Sequence, residues 1–299
     1  MASQPKRYAI TRRTFIAASG AAGALNLSNT VTAQKQQLPE QVERCVDVNV
    51  SLFRWPFRRL PCDETPKLVN KLRSQGVTSA WAGTFEGLFH KDLRSANARL
   101  VKACRTQGGG ILVPFGSINP MLPDWQEDLR ICAETHRMPG IRLHPNYHGY
   151  KLHEPEFERL MSVAADRRLI VQIALHMEDE RMMHPLMRVD RVDAAPLVGL
   201  LPRWQGLPVV LLNALNAPPD DQLTQLTATR QVHVETATLE GVGGLARLLA
   251  TVPLHRVLFG SHAPFFYFES AALKLQESPL GVVQRAAIKY KNAESLQKP

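Results

Sequence analysis

Short apolar runs alternate with longer amphipathic segments along the chain from residue 45 to the C-terminus. Several of the runs are continuously apolar, as in Val-Val-Leu-Leu at 209–212, which is typical of strands buried on both faces of a parallel sheet. The pattern predicts strands at residues 45–52, 77–83, 111–117, 140–144, 169–175, 208–215, 232–238 and 256–261.

The segments between these runs have the spacing of amphipathic helices. In the fourth of them Phe157, Leu160 and Met161 share one face, and Gly76 follows the first as a typical C-cap. The predicted helices are residues 65–75, 92–107, 124–137, 154–167, 193–201, 220–228, 241–250 and 281–296.

Eight strand–helix pairs predict an α/β chain that forms a single (β/α)8 TIM-type barrel over residues 45–299. An open doubly wound sheet is the alternative. No glycine-rich phosphate loop follows the first strand, which disfavours a nucleotide-binding version of that fold. Residues 178–192 are too long for a simple strand-to-helix loop, so we expect them to form a lid or a rim element.

The first 33 residues have the layout of a secretory signal. Arg12 and Arg13 precede a mild apolar stretch rich in Ala and Gly, and Val31-Thr32-Ala33 offers a cleavage site. The paired arginines resemble a twin-arginine export signal. We therefore expect a signal peptide at 1–33, a linker at 34–44, and a periplasmic or secreted bacterial protein. An amphipathic N-terminal helix is the alternative.

The export signal accounts for much of the basic charge. The chain of 299 residues carries a formal charge of +9, and cleavage after Ala33 would remove four cations and no acid, leaving +5. This charge is diffuse and accompanies no nucleic-acid-binding motif. Four cysteines are too few for a disulfide scaffold, and no apolar run is long enough to span a membrane.

Polar residues interrupt six of the eight predicted strands near their C-terminal ends, where barrel enzymes carry their chemistry. A single buried histidine is usually a hydrogen-bonded core residue, but His144, His176 and His262 at three strand ends indicate a site. The other candidates are Asn49, Arg142, Tyr147, His148, Asn213, Asn216, His233 and Glu235.

Three motifs resemble the amidohydrolase superfamily, in the amidohydrolase-related branch that includes aminocarboxymuconate-semialdehyde decarboxylase. They are Gly-Ile-Arg-Leu-His-Pro-Asn-Tyr-His-Gly-Tyr at 140–150, Arg-Val-Leu-Phe-Gly-Ser-His-Ala-Pro-Phe at 256–265, and the closing Lys-Asn-Ala-Glu-Ser-Leu at 291–296. The resemblance implies a distorted (β/α)8 barrel, one divalent metal that activates a water molecule, and a possible homodimer.

The chain departs from the metal-binding pattern of that family. The family's first strand reads Asp-x-His-x-His, whereas here it reads Asp47-x-Asn49-x-Ser51. The histidine of strand 6 is replaced by Asn213 and the aspartate of strand 8 by His262, so only His176 keeps the family residue. Amides and hydroxyls are poor zinc ligands beside imidazole.

Three hypotheses remain open from the sequence. A remodelled zinc site could use His176 and His262, with His144 or Glu235 as a further ligand. Alternatively, His262 could act as a general base without metal, as the resemblance to metal-free lactone hydrolases of the superfamily allows. The barrel could also bind a small molecule without chemistry.

The metal-free hypothesis assigns a role to each polar strand end. Arg142 and His144 would hold an anionic or carbonyl group, and Asn49 and Asn213 would donate hydrogen bonds to a developing oxyanion. We expect a hydrolase of a small lactone, ester, amide or related C–C bond, with a decarboxylase as the alternative. The expected catalytic residues are His144, His176 and His262, and the expected substrate-binding residues are Asn49, Arg142, Tyr147, His148, Asn213 and Glu235.

Overall fold

A computed structural model describes residues 44–215 and 220–297. The predicted signal peptide at 1–33, nearly all of the linker at 34–44, and Asn216 lie outside the described residues. Within the described ranges no helix is long and apolar enough to cross a membrane.

Eight parallel strands form one sheet in the order of the chain. The backbone N–H of Val48 donates to Phe259 O at 3.0 Å, and that of Ser51 donates to Ala263 O at 2.9 Å, so the first strand also meets the segment after the last. This order confirms the barrel and excludes the open doubly wound sheet. The strands are β1 Cys45–Leu52, β2 Val77–Thr84, β3 Leu112–Ser117, β4 Gly140–Leu143, β5 Ile170–Ala174, β6 Val209–Leu212, β7 Val232–Glu235 and β8 Val257–Leu258.

Helices follow the strands and bury their apolar faces against the sheet. They are α1 Thr65–Ser74, α2 Glu86–Phe89, α3 Leu93–Gln107, α4 Trp125–Arg130, α5 Pro145–His148, α6 Pro155–Asp166, α7 Pro196–Leu200, α8 Asp220–Ala228, α9 Gly244–Thr251, α10 Phe268–Glu277, α11 Val282–Ala286 and α12 Asn292–Leu296. π-Helical turns at Ile131–Thr135 and Ala287–Lys291 interrupt the predicted helices 124–137 and 281–296.

Three helices are additional to those predicted from the sequence, and several strands are shorter than predicted, β8 most of all. Helices α2, α5 and α10 were not predicted, since the first two have only four residues each and α10 follows an aromatic run. The predicted strand 256–261 shortens to two residues because Phe259 N donates to Ile288 O at 3.0 Å rather than to a neighbouring strand.

A bulge in β1 places Asn49 inside the barrel. The pairing with β2 passes from Asp47 opposite Ala80 to Val50 opposite Ala82, so β1 carries one extra residue there. Val48 packs in the interior apolar cluster and Val50 in the outer one. Because of the extra residue, Asn49 points inward beside Val48, which strict alternation along the strand would not allow.

Candidate functional site

Most of the predicted polar residues meet at the C-terminal ends of the strands, as expected for a barrel. The prediction was wrong for His233, which lies at the start of β7 and lines a cavity at the opposite end of the barrel, because a strand of only four residues separates it from the C-terminal edge. The deepest group joins three strands through amides and one carboxylate. Asn49 Nδ2 donates to Asn213 Oδ1 at 2.8 Å and to Glu235 Oε1 at 3.2 Å. The backbone N–H groups of Asn213 and Ala237 also donate to Glu235, which is fully buried. The side-chain amides of Asn49 and Asn213, which stand where the family that the sequence resembles has histidines, are therefore both hydrogen-bonded within the protein.

Asp47, on the same strand as Asn49, connects β1 to the end of β8. It accepts hydrogen bonds from the backbone N–H and the hydroxyl of Ser261. Burial raises the pKa of Asp47 to about 7, although the bonds from Ser261 oppose the shift. The carboxyl group of Glu235 is also buried, and burial is again the largest cause that raises its pKa.

Arg142 lies inside the barrel, where it is 1% exposed. Its Nε donates to Gln172 Oε1 at 2.8 Å, and its two terminal nitrogens donate to four acceptors of β1 and β2. All five N–H groups of the guanidinium are thus directed at protein atoms. Burial lowers its pKa to about 9. The structure places Arg142 in the site, where its guanidinium links β4 to β1, β2 and β5 by hydrogen bonds.

His262 follows β8 and is 1% exposed. Its Nε2 lies 2.7 Å from Met177 O, and because a carbonyl oxygen only accepts, Nε2 carries the proton and Nδ1 is bare. Burial lowers the pKa of His262 to about 3, so the ring is neutral near pH 7. The residue has φ of 57°, a left-handed conformation that costs about 1–2 kcal/mol and concentrates at functional sites.

His176, at the end of β5, faces a cation. Arg191 Nη2 lies 3.3 Å from His176 Nε2, and since a guanidinium only donates, Nε2 accepts and Nδ1 carries the proton. Burial, followed by the charge of Arg191, lowers the pKa of His176 to about 4. His176 in turn is among the causes that lower the pKa of His262, so the two rings interact.

His144 ends β4 at the start of α5, and burial lowers its pKa well below the usual value. Its ring packs edge-on against that of His148 at 6.0 Å, and His148 Nε2 lies 2.8 Å from Gly87 O. Tyr147, between them, contacts Trp55 and Phe89 edge-on. The structure therefore brings all three predicted residues of this segment to the barrel mouth.

Several buried ring nitrogens of this region lack a hydrogen-bond partner among the residues that the structure describes. These are the Nδ1 atoms of His144, His148, His176 and His262. Burying such an atom without a partner costs about 1–3 kcal/mol, so each instance calls for an explanation. Three of the four belong to the histidines that the sequence indicates as catalytic.

An aromatic cluster covers the mouth above His262. Phe265 stacks on the His262 ring at 4.9 Å, and Trp55 packs against Phe265 at the same distance. Arg58 extends over Phe265 and pairs with the buried carboxylate of Glu178. Aromatic rings of this kind provide a large apolar contact surface. The other members of the cluster are Phe57, Phe85, Phe89 and Tyr147.

Residues 178–192, predicted as a lid or rim, contain two 3-10 turns at Glu180–Met182 and Pro185–Met187. They border a cavity of about 320 Å³ whose walls include His176 and Arg191. The Phe57 ring stacks on His184 at 5.2 Å. The segment thus forms part of the rim beside His176.

The site residues Gln172, Arg191 and Trp55 were not predicted from the sequence. Gln172 and Arg191 bond the predicted Arg142 and His176, and Trp55 and Phe265 cover the mouth. The aromatic run that follows strand 8 in the sequence indicates a wall over the pocket, and Phe265 belongs to this run. The sequence also contains a signal for Gln172, since it is the one polar residue in the apolar run 169–175, which indicates a side chain inside the barrel.

The described residues contain no group of three or more His, Cys, Asp and Glu side chains placed to hold a metal ion. The contacts explain why. The amides of Asn49 and Asn213 bond to each other, and the guanidinium of Arg191 occupies the Nε2 side of His176. A cation next to a ligand nitrogen opposes metal binding. The donor set therefore does not fit a zinc ion as the sequence hypothesis would require.

A sequence model of the amidohydrolase family matches residues 57–296. The chain belongs to the amidohydrolase family. The barrel geometry and the strand-end motifs agree with this membership. A comparison with curated proteins found no match.

Solved structures share the fold at low sequence identity. A 5-carboxyvanillate decarboxylase from Novosphingobium aromaticivorans, solved with manganese and a nitrobenzoic acid, has a TM-score of 0.68 at 12% identity and covers 87% of this chain and 98% of its own. The corresponding enzyme from Sphingomonas paucimobilis has a TM-score of 0.66 at 13% identity, covering 85% and 98%.

A hydrolase is also among the similar structures. A probable 2-pyrone-4,6-dicarboxylic acid hydrolase from Acinetobacter baumannii, solved with citric acid, has a TM-score of 0.58 at 13% identity and covers 85% of this chain and 98% of its own. The similar structures thus include decarboxylases and a hydrolase, and some hold manganese. They share the amidohydrolase fold with this chain.

Proposed function

We propose that this amidohydrolase-family barrel hydrolyses a small lactone, ester or amide at the C-terminal face, using neutral histidines instead of a metal-bound water. The observation that carries the proposal is the set of buried Nδ1 atoms of His144, His176 and His262 without partners in the described structure. A bound substrate and water would satisfy these atoms. The resemblance in fold to a probable pyrone hydrolase gives the reaction class.

The two histidines at the ends of β5 and β8 have complementary tautomers. His262 presents a bare Nδ1 because Met177 O holds its Nε2 proton. His176 presents Nδ1–H because Arg191 donates to its Nε2. One ring can therefore accept a proton while the other donates a hydrogen bond, which is the pair of functions that ester hydrolysis needs.

The proposed reaction follows from this pair. A water oxygen attacks the carbonyl carbon while His262 Nδ1 takes one water proton. The carbonyl oxygen becomes an oxyanion that accepts a hydrogen bond from His176 Nδ1–H. When the intermediate collapses, the bond to the leaving oxygen or nitrogen breaks, and the leaving group takes the proton back from His262. The nearby oxyanion stabilises the imidazolium, which offsets the low pKa of His262.

A non-catalytic binding barrel is the second candidate. It is favoured by the closed aromatic cluster over His262 and by the amides that replace family histidines. Decarboxylation is a further alternative because several similar structures are decarboxylases. We do not include zinc in the proposal, since the donor set does not fit it.

The test measures turnover by the purified chain of a panel of lactones, aryl esters and amides, before and after exhaustive chelation. A parallel assay follows carbon dioxide release from hydroxybenzoates. We expect hydrolysis that survives chelation. The variant His262→Ala should lower kcat/KM by about 10²–10⁴, the usual contribution of a general base.

The exposed His90 provides the matched control, because His90→Ala removes an imidazole outside the site. Its activity should equal that of the wild type. Activity that disappears on chelation and returns with one metal would reject the metal-free mechanism. Ligand-induced thermal stabilisation without turnover would favour the binding barrel instead.

We also propose export by the twin-arginine route through residues 1–33. The supporting feature is the Arg12-Arg13 pair before an Ala- and Gly-rich apolar stretch. The test compares cell fractions of the wild type and the double variant Arg12→Lys/Arg13→Lys. We expect the wild type in the periplasm and the variant in the cytoplasm, whereas an equal distribution would reject the proposal.

Light scattering of the purified protein tests the possible homodimer.

A further inference from the structure

A separate cavity of about 250 Å³ opens at the N-terminal ends of β6, β7 and β8, on the barrel face opposite to the candidate site. Its walls come from the turns that precede these three strands and from Ser295 and Leu296 of α12. Because neighbouring strands of a parallel barrel begin at the same edge, the three turns lie side by side. The cavity is therefore a feature of the barrel base, and the mechanism above does not use it.

Four basic side chains line this cavity: Arg230 and His233 from the start of β7, and His255 and Arg256 from the turn before β8. No acidic residue is among its lining residues. Within residues 44–215 and 220–297, neither arginine forms an ion pair with a carboxylate. No carboxylate of the described part of the chain thus neutralises the charge of these two arginines.

A buried histidine fixes one of the arginines. Arg256 Nη1 donates to His233 Nε2 at 3.1 Å, and His233 Nδ1 lies 3.2 Å from Gln231 O. His233 is 4% exposed and accepts from a guanidinium, so its ring is neutral. Arg256 is therefore held in one orientation at the cavity wall, while Arg230 is exposed at the rim.

The electrostatics of the cluster agree with an anion site. Burial lowers the pKa of Arg256, and the charge of Arg230 adds to the shift. Burial is the largest cause that lowers the pKa of His255, and the charge of Arg256 adds to it. The same two causes lower the pKa of His233 to about 4. No carboxylate is among the causes of these three shifts. A bound anion would relieve the repulsion between the arginines.

We propose that this basal cavity binds a compact oxyanion with two or more negative charges, carried by phosphate or carboxylate groups. Planar guanidinium groups match the oxygen pairs of both. The volume suits this class, because a water molecule occupies about 30 Å³ of liquid and the cavity of about 250 Å³ accepts a group several times larger.

The test is calorimetric titration of the full chain with inorganic pyrophosphate and, separately, with citrate, against sodium chloride at the same ionic strength. We expect one saturable site per chain. Arg230→Gln and Arg256→Gln should each weaken binding roughly tenfold, as loss of one charge-assisted hydrogen bond predicts. Tighter binding of pyrophosphate would assign phosphate groups, and tighter binding of citrate would assign carboxylates.

Arg159→Gln is the matched control, since Arg159 is an exposed arginine of α6 that pairs with Glu156 outside the cavity. It should bind as the wild type does. Absence of saturation beyond the chloride control, or equal weakening by all three variants, would overturn the proposal. The readout needs no turnover, so it is independent of whether the hydrolase proposal succeeds. Arg230→Gln changes an exposed side chain and tests the site even if Arg256→Gln unfolds.

Discussion

Arg142 Nε donates to Gln172 Oε1 at 2.8 Å inside the barrel, joining β4 to β5 at the level where β1 and β2 offer their carbonyl oxygens. This hydrogen-bonded polar pair lies in the barrel interior at a depth where most barrels place apolar side chains. A buried charge whose donors are all satisfied is tolerated, but one whose partners are removed is costly.

We therefore predict that Arg142→Met lowers the free energy of unfolding by about 3–5 kcal/mol, because three carbonyl groups and Gln172 lose their donor. The measurement is urea denaturation followed by circular dichroism. Arg159→Met, on the surface, should change the free energy by less than about 0.5 kcal/mol. An Arg142 variant with wild-type stability and weakened substrate binding would instead support the sequence-based role in the substrate site.

The ion pair between Arg58 and Glu178 should keep the barrel mouth closed. The carboxylate is 4% exposed and pairs across the mouth with the β1 loop, whose Phe57 also stacks on His184. We predict that Glu178→Gln increases amide hydrogen exchange in residues 53–64 and 178–192, because local opening of these segments then no longer breaks this partly buried ion pair.

Mass spectrometry of peptides from both segments measures this exchange. Glu180→Gln is the control, because Glu180 is an exposed neighbour in the same segment. The idea of a closing contact fails if the two variants exchange alike. Faster exchange confined to residues 178–192 would show that the two segments open independently.

The sequence predicted the barrel because buried parallel strands leave continuous apolar runs, which are local signals. It also located His144, His176 and His262, since polar residues at strand ends share one face of a barrel. The role of Arg142 was not predictable, because its acceptors are backbone carbonyls of distant strands. The inward direction of Asn49 depends on a bulge in β1, and a one-residue change of register leaves no mark in the apolar pattern.

Metal content provides a direct test of the donor set. Asn49 and Asn213 bond each other, and Arg191 faces His176. We predict that the purified protein, dialysed against metal-free buffer, retains zinc and manganese well below one ion per chain. Plasma mass spectrometry measures both metals. His176→Ala should give the same result, whereas stoichiometric metal in the wild type and its loss in this variant would restore the remodelled metal site.

The buried histidines should make stability depend on pH in mildly acidic solution. Burial lowers the pKa of His262 to about 3 and that of His176 to about 4, below the value near 6.5 of the unfolded chain. As pH falls below 6.5 the unfolded state therefore binds protons that the folded state does not, and stability decreases. Asp47, with pKa raised to about 7, contributes in the opposite direction.

The histidines outnumber the acids in this balance, since His144 and His233 also have lowered pKa values and only Asp47 and Glu235 among the buried acids have raised ones. We predict that the free energy of unfolding falls between pH 6.5 and 4, with each group contributing up to about 1.4 kcal/mol per pH unit. Urea titrations at several pH values measure the slope. The variant His262→Gln, which cannot titrate, should give a shallower slope than the wild type. A slope that His262→Gln does not reduce would mean that His262 is protonated to the same extent in the folded and unfolded states.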